Sequence, residues 1–254
     1  MFTYPISGGG SSYVATAKRF VLSTTNYYRG GVGNMFPAPT GITSVTRVVS
    51  WYPTAHHSGS RIFDSTKISG FFWGQQFVSG TPSVYVTQGD ISRAGLGNGG
   101  YVATATHPQI TLNTWHTMGF SVNFSTGAGT YFYDGTYNAS WYTEDVPSGK
   151  TLDNFDANEE FMGTDRLHGL GAFSPCDVSQ YWCDDSYIDF SSAANVAKFY
   201  AAGKPIYLGA NGELPTGGQP LHFNPNGDMT NNLGSQANWI EVGTVPDAPT
   251  SPTD

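Results

Sequence analysis

The sequence predicts an all-β protein built as a two-sheet antiparallel sandwich, and three observations carry that prediction. Charged residues make up only 12% of the 254, about half the usual share of roughly 25%. Aromatic residues reach 15% and glycines number 32, a composition that suits pleated surfaces joined by turns. Apolar residues recur with period two, in short runs closed by Gly, Asn, Asp or Pro, which is the pattern of strands and not of helices. A sandwich of this length is expected to form one domain.

Taken in order, residues 1–13 read as a flexible arm, 14–242 as the sandwich and 243–254, with Pro246, Pro249 and Pro252, as a Pro-rich tail too poor in apolar groups to pack. Candidate strands are 18–22, 44–52, 70–77, 83–87, 101–105, 115–124, 130–133, 160–163, 168–173 and 206–208. The clearest is WHTMGFSVNF at 115–124, where Met118, Phe120, Val122 and Phe124 share one face and Thr117, Gly119, Ser121 and Asn123 the other; it reads as half-buried. A polar connection and a second strand ending at Asp134-Gly135 complete a hairpin signature. One short helix is predicted over 192–200, capped by Ser191 or Ser192, with Val196, Phe199 and Tyr200 at helical spacing and Gly203 and Pro205 beyond it.

Composition also excludes classes of function. A net charge of −8 with no basic cluster argues against nucleic acid. The first residues show neither a basic start nor an apolar run, so no signal peptide is expected. No stretch approaches the roughly 20 apolar residues of a membrane-spanning helix, so no membrane insertion is expected. Cys176 and Cys183 match neither a zinc framework nor a disulfide scaffold, and leave one local disulfide or two free thiols as alternatives.

Two stretches stand out, NTWHTMGFSVNFSTGAGTYFYDGTYNAS and SYIDFSSAANVAKFYAAGKPIYLGANGELPTGGQPLHF. Over residues 114 to 233 they resemble the laminin G / concanavalin A-like lectin domain, in the version found in virion proteins of tailed bacteriophages. The resemblance implies a jelly-roll of two curved antiparallel sheets that meets ligands or partners at rim loops or on a concave face. It also implies that the short helix packs on the sandwich, with Asp189 and Ser191 at its start and Pro205, Gly209, Gly212, Pro215 and Gly217 as turn formers.

Concanavalin A-like glucanases carry Glu-x-Asp-x-x-Glu on one strand, a pattern missing here; the adjacent acidic pairs Glu144-Asp145, Glu159-Glu160 and Asp184-Asp185 would point to opposite faces of a strand. No Gly-x-Ser-x-Gly elbow, P-loop or dinucleotide fingerprint occurs, and His56-His57 lacks a further His at zinc spacing. No cofactor is expected beyond a possible structural calcium ion, for which Asp153, Asp156, Asn158 and Glu159 come nearest to a ligand run. For sugar binding, an aromatic platform with a few polar groups is needed. Trp141 and Tyr142, close to Asp134 and Asn138, are the candidates, whereas Trp51, Trp73 and Trp115 are expected in the core. With catalytic chemistry missing, the resemblance implies a non-enzymatic bacteriophage virion component, partnered by other virion proteins and by copies of itself, with bacterial surface polysaccharide as a possible ligand. The alternative is a free carbohydrate-binding lectin, and a more distant one a glycan-degrading enzyme.

Overall fold

A computed structural model describes residues 15–21, 25–30, 41–55, 63–65, 71–78, 81–88, 111–139, 148–149, 160–163 and 175–253. Its strands are β1 (Lys18–Phe20), β2 (Tyr27–Gly30), β3 (Ser44–Pro53), β4 (Phe63–Ser65), β5 (Phe71–Val78), β6 (Thr81–Gln88), β7 (His116–Asn123), β8 (Ala128–Tyr133), β9 (Thr136–Tyr137), β10 (Glu160–Met162), β11 (Cys176–Asp184), β12 (Tyr200–Ala201), β13 (Lys204–Pro205), β14 (His222–Asn224) and β15 (Ile240–Val242), with one helix, α1 (Ala193–Val196). Among the described residues, a seven-stranded sheet runs β1-β11-β3-β7-β8-β9 with β14 also on β11, and a six-stranded sheet runs β15-β2-β10-β4-β5-β6. Every pairing is antiparallel. This is the jelly-roll sandwich that the sequence predicts.

The core lies between the sheets. From the seven-stranded sheet come Val45, Val49 and Trp51 of β3, Met118, Phe120 and Val122 of β7, and Tyr131 and Tyr133 of β8; from the other side come Tyr28, Met162 and Trp239. The apolar stripe of 115–124 thus faces inward as its alternation demands. In β11 the alternation changes hand. Cys176 and Val178 face this core, and so do Tyr181 and Cys183, because a bulge between Val178 and Tyr181 adds one residue. Trp182 consequently points the other way.

That other face is also covered, so β7 is buried on both sides where half-burial was expected. Residues 185–223 fold back over it, bringing Ile188, Phe190, Val196, Phe199, Leu208 and Phe223 onto Val48, Phe132 and Trp182. Small polar side chains receive the returning backbone: Ser121 Oγ accepts the Ile188 N–H (2.9 Å) and Thr130 Oγ1 the Phe190 N–H (2.9 Å), while Trp182 Nε1 donates to the Gly212 carbonyl (2.9 Å). Each such bond contributes about 1 kcal/mol net, against roughly 1.5–3 kcal/mol for each large apolar side chain removed from water. The aromatic cluster therefore holds the layer and the hydroxyls fix its register.

The structure corrects several expectations. The helix is one turn, Ala193–Val196, and neither serine caps it: Ser192 makes no side-chain cap, and Ser191 donates to Asp189 Oδ1 instead. Its chain then turns at Ala202 (φ 53°) and Gly203 (φ 81°) into the β12–β13 hairpin. Residues 206–208 form no strand, because Ile206 O accepts from the Gln180 side chain and Leu208 O from the Leu214 amide. Cys176 and Cys183 are free and buried at opposite ends of β11, roughly 20 Å apart at ~3.3 Å per residue, so no disulfide joins them. The Pro-rich segment read as a tail is docked along β1, with Val245 3% exposed. The arm at 1–13 and the candidate strands 101–105 and 168–173 lie outside the described residues.

Candidate functional site: one rim of the seven-stranded sheet

Strand register gathers the ends of three strands at one rim. Trp51 of β3 pairs with His116 of β7, and Met118 of β7 pairs with Tyr133 of β8, immediately before the Asp134-Gly135 turn into β9. The turn takes Asp134 to φ 45° and Gly135 to φ 78°, the positive dihedrals of a tight hairpin. A Cβ at Gly135 would stand 2.6 Å from Tyr200 Cδ1, so the Tyr200 ring closes over the turn. Burial, with the charge of Asp134 second, pushes the Tyr200 hydroxyl up to about 12.

Asp134 locks the turn. Its Oδ1 accepts the Thr117 N–H (2.7 Å) and its Oδ2 lies 2.7 Å from His116 Nδ1. The other ring nitrogen of His116 is 2.9 Å from the Thr111 carbonyl oxygen. Behind them, His116 stacks on Tyr133 (5.1 Å, 28°) and leans on Trp51 (5.4 Å). The rim is thus backed by a buried aromatic cluster, which confirms Trp51 as a core residue. Such backing holds a surface loop in one geometry.

On the outer face of the same rim a row of side chains crosses three strands and reaches the residue before β7. Arg19 of β1 donates through Nε and Nη2 to the two carboxylate oxygens of Asp177 of β11 (2.7 and 2.8 Å). Asp177 is fully buried and pairs in register with Tyr52 of β3. Tyr52 meets Trp115 with ring centroids 5.6 Å apart, and Trp115 Nε1 donates to Thr250 Oγ1 (3.3 Å). Both rings are half-buried. Trp115 is therefore not a core residue as expected: it precedes the first residue of β7 and shares the parity of Thr117 and Ser121, which face away from the inter-sheet core.

Of the residues singled out in the sequence, Asp134 and Asn138 flank β9 at this rim, with Asn138 exposed. Trp141 and Tyr142 lie outside the described residues, as do Asp153, Asp156, Asn158, Glu159, His56 and His57. Trp73 sits on β5 opposite Phe63 and Val86. Among the described residues, no three His, Cys, Asp or Glu side chains gather as a metal site would require. Among the described residues, the rim carboxylates Asp134 and Asp177 are both engaged in holding the fold. Tyr52, His116 and the Arg19–Asp177 pair escaped the sequence reading; the parity of Tyr52 and Trp115, opposite to the core stripe, was the signal available. What the rim offers is two half-exposed aromatic rings beside amide and hydroxyl groups, a surface suited to the mixed apolar and polar faces of a sugar.

No family model matches the chain, and no curated protein matches it in sequence. Solved structures do match. The native heptameric SAP-like pentraxin of Limulus polyphemus superimposes with a TM-score of 0.51 at 13% identity, over 94% of this chain and 91% of that one. A putative carbohydrate binding protein from Bacteroides ovatus gives a TM-score of 0.58 at 10% identity, over 92% of this chain and 60% of that one. At such identities the likeness establishes architecture alone: the chain folds as an antiparallel jelly-roll sandwich similar to those of these two proteins.

Proposed function

We propose that the protein is a glycan-binding module whose site is the rim formed by the ends of β3, β7 and β8. The observation that carries this reading is the convergence of the Tyr52–Trp115 pair with the locked β8–β9 turn at one end of one sheet. Fold alone does not specify function; the description of the Bacteroides protein as a putative carbohydrate binding protein adds support to the reading. Asp134 sets the turn, Asn138 reads hydroxyls, and Trp141 and Tyr142, next along the chain, supply a further stacking surface. With a net charge of −8, neutral bacterial surface polysaccharides suit the protein better than polyanionic ones. No catalytic role is assigned to any residue.

A glycan array followed by calorimetric titration tests the proposal. Saturable binding is expected, weakened about tenfold or more by Trp141→Ala or Asn138→Ala, equivalent to roughly 1.4 kcal/mol. Flat titrations across bacterial polysaccharides would refute it. A place in a tailed-phage virion rests on the sequence likeness of residues 114–233 alone, and neither structural relative above is a phage protein. Mass spectrometry of purified particles decides that reading: presence at fixed stoichiometry supports it, absence removes it.

A further inference from the structure

β1 is the edge strand of the seven-stranded sheet, and residues 245–253 lie along its otherwise open side. The Arg19 N–H donates to the Pro246 carbonyl (2.8 Å) and the Ala248 N–H to the Ala17 carbonyl (2.8 Å), with Lys18 and Asp247 paired antiparallel between them. Lys18 Nζ reaches Asp247 Oδ1 at 2.8 Å, and the Ala15 N–H donates to Thr253 Oγ1 at 3.1 Å. The segment behaves as an added strand, the mode by which an extended peptide binds a sheet edge.

Three features mark this strap as transferable. Pro246, Pro249 and Pro252 recur at every third position, which fixes φ and keeps the segment extended whether or not it is docked. It joins the sandwich at Gly243, φ 71°, where a Cβ would collide with the Thr25 carbonyl and the Asn26 side chain, so only glycine serves as the joint. The docked segment is anchored at its two ends and open in the middle. Val245 and Pro252 are buried, but Asp247 is 84% exposed and a cleft of about 360 Å³ remains open between residues 15–17 and 247–251. The backbone pairing with β1 and the burial of Val245 form unchanged if the strap comes from another molecule.

We propose that two copies of the chain exchange residues 245–253, each strap lying along β1 of the other. The test uses the full chain carrying Lys18→Asp or Asp247→Lys, changes at an ion pair whose Asp247 is exposed and whose Lys18 is partly buried. Either variant alone sets like charges against each other, in its own fold and in its own homodimer. Mixed, the two variants match opposite charges at both straps only by exchange. Native mass spectrometry and light scattering of the wild type and the mixture are expected to show a dimer in each, with roughly tenfold more dimer in the mixture than in either variant alone. A wild type that stays monomeric over the whole concentration series, or a mixture no more dimeric than its components, overturns the proposal. As a second readout, Lys18→Cys with Asp247→Cys, oxidised with diamide in the dimer fraction, is expected to run as a covalent dimer on a non-reducing gel. A covalently closed monomer there also overturns it. Neither readout depends on glycan binding.

Discussion

Gly119→Ala tests whether the outer layer packs on the seven-stranded sheet as tightly as the structure implies. Gly119 sits in β7 directly opposite Phe132 of β8. A Cβ there would lie 2.6 Å from Phe132 Cδ1 and closer still to Cε1. The ring has nowhere to go, since Phe132 is fully buried and packs edge-on against Phe190 at 4.8 Å. Overpacking a closed core costs about 1–3 kcal/mol, and a fully enclosed ring places this site at the upper end. Removing a strand glycine returns about 0.5–1 kcal/mol of chain entropy, leaving a net loss of about 2 kcal/mol. Urea denaturation of the wild type, Gly119→Ala, Phe132→Leu and the double variant measures it. Phe132→Leu alone is expected to cost about 1–1.5 kcal/mol, and the double variant about 1–2 kcal/mol less than the sum, because the smaller side chain makes room for the new methyl. A neutral Gly119→Ala, or strict additivity in the double variant, would refute the close packing of β7 under Phe132.

Other outcomes follow from the rim and the loops. Asp134→Ala removes the acceptor of the Thr117 amide and the partner of His116 and is expected to destabilise by about 2–3 kcal/mol in the same assay; Asp134→Asn, which tolerates positive φ, costs less. Arg19→Ala leaves the fully buried Asp177 carboxylate uncompensated, an expected loss of about 3 kcal/mol that Arg19→Lys only partly restores, because a lysine cannot form the two-pronged contact. Burial, reinforced by Asp177, pushes the Cys176 thiol up, so thiol reagents are expected to modify it only after unfolding. The backbone amides of Glu213, Asn211 and Ala210 hold the Glu213 carboxyl below its ordinary value. The folded value being the lower one, its contribution to loop order is present above the unfolded value and is lost as pH falls through the folded one. Hydrogen exchange at the Asn211 amide is therefore expected to gain extra acid sensitivity that Glu213→Gln abolishes.

What the sequence revealed and what it hid divide along physical lines. The β7 stripe was legible because Met118, Phe120, Val122 and Phe124 alternate without interruption and all enter the inter-sheet core. β11, which pairs with three other strands, was not, because the bulge between Val178 and Tyr181 breaks its period of two and both its faces are buried. Short strands such as β2, β14 and β15 are fixed by tertiary pairing and carry too few residues for a periodic signal. The helix shrank to one turn because Asp189 takes the Ser191 hydroxyl that was expected to cap it. At the rim, the Asp134-Gly135 turn was readable from its dipeptide, while the Asp134–His116 clamp spans two strands and depends on register. Tyr52 and Trp115 meet only because β3 and β7 are neighbours, which no local pattern states.

The central claim, glycan binding at this rim, is tested most directly by mapping amide chemical shifts while the full chain is titrated with a bacterial surface oligosaccharide selected on the array. The account predicts saturable shifts clustered on Tyr52, Trp115 and residues 134–138, reduced in Trp115→Ala with the rest of the spectrum preserved. Saturable shifts centred elsewhere on the sandwich, with the rim unmoved, would contradict it.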